Sequence, residues 1–281
     1  MAIGISDNRH YINTANAIRD NSFGYIEGPL LVTEFPQRIG EISAIGQEQG
    51  RVAGYTQGLE AGKESGAQSE SDRFWDVFQQ NGTRTYYGYA FAYGWNKTTF
   101  APKYDIKPTV AMYMFNNSQI EGDLRKLLSD QGVILDFSQC RGRVKYAFAV
   151  SKITALPTID LTGLPESADE IEAIFGWTYH LHTIDALILK DDGSTPINDF
   201  FNTATALENI VIKGTIGKKG FNVSWSTKLT RDSLMSIINA LQDKGTDTSG
   251  TIWAITLGTT NLAKLTDAEK AIATQKGWTL A

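Results

Sequence analysis

Glycine recurs at every fourth position along one stretch of this chain: Gly46, Gly50, Gly54, Gly58, Gly62 and Gly66. Between these glycines stand mostly helix formers, among them Gln47, Glu48, Gln49, Arg51, Ala53, Leu59, Glu60, Ala61, Lys63 and Glu64, and no proline interrupts from Gln37 to Gly82. The pattern predicts a helix. Each interior glycine costs about 1 kcal/mol relative to alanine, which leaves an isolated helix of this composition roughly 5 kcal/mol short. A second backbone can supply the difference. A four-residue step advances about 400° around a helix, so the glycines rise as one slowly winding groove that another helix can approach closely. A repeat longer than about 3.6 residues favours right-handed wrapping. The segment is therefore expected to be a self-associating stalk. The charged and amide-bearing residues between the glycines exclude a membrane span, and a flexible linker is the alternative.

With 281 residues the chain has room for one to three domains. Its 26 basic and 31 acidic residues give a net charge of −5, with neither a basic stripe for nucleic acid nor an acidic tail. The opening MAIGISDNRHYIN lacks a basic segment followed by an apolar run, so no secretory signal is expected, and no later segment reads as a membrane span. Cys140 is the sole cysteine and His10, His180 and His182 are the only histidines, which forbids an internal disulfide and leaves little for a metal or cofactor site.

Tyr11, Ile12, Ala15 and Ile18 share one face of a short amphipathic helix over Asp7 to Arg19. A second helix is expected to open at Thr33 and Pro36, run through the glycine ladder to Phe74, Trp75, Val77 and Phe78, and end at Asn81-Gly82. From Tyr86 onward a different pattern takes over. An apolar residue, three intervening positions and a large aromatic recur at Tyr87/Phe91, Ala111/Phe115, Val144/Phe148, Ile171/Phe175, Ile197/Phe201 and Phe221/Trp225, the aromatics being 24, 33, 27, 26 and 24 residues apart. Short β-type runs follow, such as Ile159-Asp160-Leu161, Leu187-Ile188-Leu189 and Ile210-Val211-Ile212. A period of about 20–30 residues with one strand per unit is the pattern of a leucine-rich-repeat solenoid; unrelated hairpins in a sandwich are the alternative. Thr230 opens a helix bearing Leu234, Ile237, Ile238 and Leu241; Trp253, Ile255 and Leu257 alternate as a strand. Thr266 and Glu269 form a capping box for a last helix closed by Gly277, and a short strand over Trp278 to Leu280 follows.

The expected fold class is α+β: N-terminal helices with a long glycine-repeat helical stalk, then a leucine-rich-repeat-type β-solenoid with an α/β C-terminal cap. The boundaries are 1–35 for an attachment segment, 36–82 for the oligomerisation stalk, 83–229 for the solenoid and 230–281 for the cap.

Catalytic signatures are absent: there is no G-x-S-x-G, Walker A, H-E-x-x-H or G-x-G-x-x-G. His180 and His182 share one face of a strand but lack a third ligand at motif spacing. Tyr86, Tyr87, Tyr89, Tyr93 and Trp95 crowd into ten residues with glycines, the composition of a surface that offers large contact area at low entropy cost. The same alternation also suits a first core layer sealing the stalk junction.

Five segments carry a resemblance: S-D-x-x-x-Y-I-x-x-A-x-A-I-R (Ser6 to Arg19), the glycine ladder, F-W-D-V-F-Q-Q-N-G (Phe74 to Gly82), Y-D-I-K-P-T (Tyr104 to Thr109) and G-F-N-V-x-W-S-T-K-L-T (Gly220 to Thr230). Together they resemble leucine-rich-repeat virion or tail-associated proteins of gut Firmicutes phages and prophages. The resemblance implies a non-enzymatic virion component, of the tail or fibre type, whose repeat domain contacts a glycan or protein of the host surface and whose N-terminus meets other virion proteins. It carries over no functional residue. A purely structural virion part (neck, baseplate or head fibre) and a bacterial surface adhesin are the other readings. Self-association is expected through Gly46 to Gly66, with a trimer preferred over a dimer only by analogy with phage fibres.

Overall fold

The structure, a computed structural model, describes residues 70–98, 100–166, 171–197, 199–245 and 247–281. The N-terminal helices, the attachment segment 1–35 and the glycines Gly46 to Gly66 lie outside the described residues. Helix α1 (Glu70–Phe78) is the first described element. It turns Trp75 into the core at 1% exposure, where the indole meets Phe91 and Phe100. The helix ends because Gln80, Asn81 and Gly82 all take left-handed backbone, with φ of 52°, 51° and 84°. Gln79 is wholly buried and pins the exit: its amide donates to the Tyr104 carbonyl at 2.7 Å and accepts from the amides of Lys103 and Tyr104. Trp75, Phe78 and Gln79 thus pack into the same core as the residues that follow.

Strands β1 (Glu121–Asp123), β2 (Lys152–Leu156), β3 (Ile159–Asp160), β4 (Thr183–Ile188) and β5 (Asn209–Lys213) form one parallel sheet, with α2 (Leu124–Ser129) after β1. The path runs β1-β2-β4-β3, and β5 pairs with β4. Pro157 separates β2 from β3 because it has no N–H to give a ladder. β2 therefore pairs with the first half of β4 (Ala155 opposite Thr183) and β3 with the second (Ile159 opposite Leu187).

The fold departs from the expected class. The described residues form a curled, half-barrel parallel sheet with five short helices; no long helical stalk and no solenoid is seen among them. Among the described residues the longest helices have nine residues. A solenoid also needs a strand from every unit, whereas residues 86–119 contribute only isolated bridges, Tyr86 to Val110, Asn96 to Gln119 and Ile106 to Leu135. With so few strands, the intrinsic twist of a parallel sheet curls it around the side chains it covers.

Those side chains are the spaced aromatics. Successive rings meet at 4.9 Å (Phe91–Phe115), 5.4 Å (Phe115–Phe148), 5.7 Å (Phe148–Phe175) and 5.3 Å (Phe175–Phe201), the last three close to parallel. The final expected anchor, Trp225, is 56% exposed, and Phe221 takes its place by packing edge-on against Phe201.

Helix α3 (Arg231–Asn239) is capped by Thr230, whose hydroxyl accepts from the Ser233 amide, and buries Leu234, Ile237 and Ile238. β6 (Trp253–Ile255), α4 (Thr259–Leu262), α5 (Asp267–Gln275) and β7 (Trp278–Leu280) complete the chain, with β6 and β7 paired in parallel. The capping box of Thr266 and Glu269 is present, and Gly277 closes α5 at φ 80°.

Candidate functional site

The crowded aromatics separate into two groups. Tyr87 is buried at 1% exposure, and Trp95 packs among Phe74, Trp75, Phe78 and Phe91, so both belong to the core. Tyr86 is exposed, and Tyr89 and Tyr93 are half-buried at the surface. From Tyr89 a second column of rings extends along the outside: Tyr89 stacks on Tyr113 at 4.8 Å and 9°, Tyr113 on Tyr146 at 5.1 Å and 30°, and Tyr146 on Trp177 at 5.8 Å and 29°. The first two spacings sit close to the separation of neighbouring strands, about 4.8 Å. The backbone explains them.

Tyr89, Tyr113 and Tyr146 each lie two residues before a core phenylalanine, and each occupies the third position of a tight turn. The turns are closed by Ala90 N–H to Tyr87 O (3.0 Å), Met114 N–H to Ala111 O (3.0 Å) and Ala147 N–H to Val144 O (3.1 Å). That third position carries positive φ, 56°, 55° and 57°, as a type II turn requires and as glycine or asparagine usually provides. The alternate amides point the other way and stitch each level to the next: Tyr89 to Met112 O, Phe91 to Met114 O, Tyr113 to Lys145 O, Phe115 to Ala147 O, Tyr146 to Glu172 O and Phe148 to Ile174 O, all between 2.7 and 3.1 Å. Alternate donors thus serve the local turn and the neighbouring level, and both find acceptors. At the fourth level the column position is Ala173, which has no ring, and Trp177 meets Tyr146 instead.

Tyr86 lies beside this column with its hydroxyl end over Gly88. A Cβ on Gly88 would meet the Tyr86 Oη at 2.8 Å and Cζ at 2.9 Å, so the missing side chain makes the seat for the ring. Burial raises the phenol pKa values of Tyr89, Tyr93, Tyr113 and Tyr146, with Tyr89 pushed up to about 12 by burial and by the neighbouring tyrosines. The phenols therefore stay neutral hydrogen-bond donors at physiological pH. Tyr146 donates to Glu172 at 3.1 Å, and the Lys145 ammonium stands 5.5 Å from the Tyr146 ring centre.

A second surface is the polar face of the sheet. An open groove of about 480 Å³ is lined by Lys97, Glu121, Gly122, Lys152, Thr154 and His180. Its neighbourhood is largely self-paired: Lys97 with Glu121 at 3.0 Å, Arg125 with both Asp123 and Asp185 at 2.6 Å, and His182 Nδ1 with Glu208 at 3.1 Å. Among the described residues no group of three metal-ligating side chains is assembled, His180 and His182 included. Cys140 is buried and its thiol is pushed up to about 12 by that burial, the opposite of an activated nucleophile.

Sequence alone missed Tyr113, Tyr146 and Trp177, although a signal was there: each stands two residues from a core phenylalanine of the spaced set. No family model, no characterised protein and no solved structure matches the chain.

Proposed function

We propose that the chain is a non-enzymatic binding component of a phage virion, of the tail or fibre type, whose outer tyrosine column contacts the host surface. The column Tyr89–Tyr113–Tyr146–Trp177 carries this reading. The same left-handed backbone recurs at Val150, Ala173, Asp199 and Thr203, so it belongs to the turns, and the tyrosines are what three of those turns hold at the surface. Stacked rings on a stitched backbone also lose little freedom on binding, which is how a tyrosine-rich surface converts contact area into affinity. The virion assignment rests on the resemblance of the five segments.

Binding of the labelled full-length protein to cells of the bacterium that hosts the phage tests the reading. The wild type is expected to bind saturably, and Tyr89→Ser with Tyr113→Ser to lose at least tenfold in affinity, the loss of about 1.4 kcal/mol or more. Equal binding by wild type and double variant, with both folded, contradicts it.

A further inference from the structure

We propose that the tyrosine column takes an electrically neutral, hydroxyl-rich polymer, a linear glycan of the cell wall whose sugars carry vicinal hydroxyls, laid along the direction from Tyr86 to Trp177. This rests on the host-contact reading above and names the ligand class for it. Stacking consumes the faces of the inner rings, since Tyr113 is sandwiched between Tyr89 and Tyr146. What the column offers to a ligand is therefore a row of ring edges and phenol hydroxyls, repeated at 4.8 and 5.1 Å. The hydroxyls of Tyr86, Tyr93 and Tyr113 have no hydrogen-bond partner among the described residues, and none of them is sealed away from solvent. Tyr86 adds the complementary feature, an exposed ring seated on Gly88 at the start of the column. A line of neutral donor–acceptor hydroxyls beside an aromatic platform matches a chain of sugars, whose ring faces are apolar and whose edges carry hydroxyls.

The surroundings disfavour the other polymers. The charges beside the column are mixed, Lys145 against Glu172 and Asp199, so nothing concentrates one sign for a polyanion. A peptide adding itself as a strand needs an open sheet edge. The β5 edge is closed, because Ser233 and Ser236 of α3 accept from the Ile210 and Ile212 amides at 3.0 and 2.8 Å, and β1 at the other end of the sheet is only three residues long.

The test uses the full-length protein and purified host cell walls in three states: untreated, oxidised with periodate to cleave vicinal diols, and digested with protease. The expected result is binding to untreated and protease-digested walls alike, with loss on the oxidised ones. Tyr113→Phe keeps the ring and removes one hydroxyl, and should bind about two- to tenfold more weakly, the worth of one hydrogen bond. Gly88→Ala displaces only the mobile end of Tyr86 and should likewise weaken binding without unfolding the protein. Binding that survives periodate, with or without protease, overturns the glycan and leaves host contact standing. A steep loss of affinity with added salt points to a polyanion and also overturns it. Absence of binding to untreated walls removes the host-contact reading itself. Unchanged affinity in both variants overturns the column as the site.

Discussion

Tyr89, Tyr113 and Tyr146 hold φ of 56°, 55° and 57°, a region that costs a side chain with a Cβ about 1–2 kcal/mol. Each stacked pair contributes about 0.5–1.5 kcal/mol beyond its buried area, so Tyr113, with two neighbours, recovers an amount of the same size as its strain. Tyr113→Ala removes both contacts and keeps the strain. It should destabilise the fold by about 1–3 kcal/mol in urea unfolding. Tyr113→Gly removes the strain as well and should be the more stable of the two by about 1 kcal/mol, the reverse of the usual order in regular structure. Alanine equal to or better than glycine would reject the left-handed backbone. The raised phenols give an independent check. With the Tyr89 phenol pushed up to about 12 in the folded state and about 10 in the unfolded chain, its protonated form supports the fold below about pH 10. That support fades as pH rises through the folded value. A spectrophotometric titration should therefore show a late-ionising tyrosine that Tyr89→Phe removes. Composition alone drew attention to Tyr86, Tyr87, Tyr89, Tyr93 and Trp95. It could not divide them between core and surface, because the turns that do so depend on hydrogen bonds from Tyr89 and Phe91 to a segment more than twenty residues away.

At the scale of elements, the sheet edge at β5 is the feature least visible beforehand. Edge amides left open invite pairing with another chain. Here Ser233 and Ser236, one helical turn apart on α3, place their hydroxyls against the alternate amides of Ile210 and Ile212. Ser233→Ala and Ser236→Ala should each cost about 1–3 kcal/mol by orphaning an amide, and the double variant should expose the edge to aggregation. Wild-type stability in both would remove the serines from this role. The capping box was legible because its chemistry is local: Thr266 N–H and Oγ1 both donate to the Glu269 carboxylate, at 2.7 and 2.9 Å. Those bonds, then the Arg231 guanidinium, hold the Glu269 carboxyl below its ordinary range. A depressed carboxyl pKa adds stability that is present above the unfolded value, about 4.3, and is lost as pH falls through the folded one. Glu269→Gln should flatten the acid side of the stability profile. Short β-type runs marked β3, the end of β4 and the middle of β5, whereas the loss of Trp225 to Phe221 was not legible. The two aromatics differ by one helical turn in sequence, and either fits an apolar spacing rule.

Across the whole molecule, one contiguous core joins Trp75 near the start of the described residues to Trp278 near their end. Phe175 and Phe201 sit in its middle with no exposure. Their replacement by alanine should cost about 3–5 kcal/mol each, and near-neutral values at both would dissolve the ring column as the organising element. The spacing of aromatics was readable in the sequence; the shape they produce was not. Periodicity says which side chains go inward, but the curl of the sheet depends on how many strands join it. That number depends on bridges such as Tyr86 to Val110, which are too short to leave a strand pattern.

Competition for phage adsorption tests the central claim most directly. Particles are mixed with host cells in the presence of excess free full-length protein, either wild type or Tyr89→Ser with Tyr113→Ser, and the unadsorbed phage is counted. The tyrosine face as the host-contact surface of a virion component predicts that the wild type blocks adsorption in a dose-dependent way and that the folded double variant does not. Adsorption unaffected by the wild-type protein, or blocked equally by both, would contradict it.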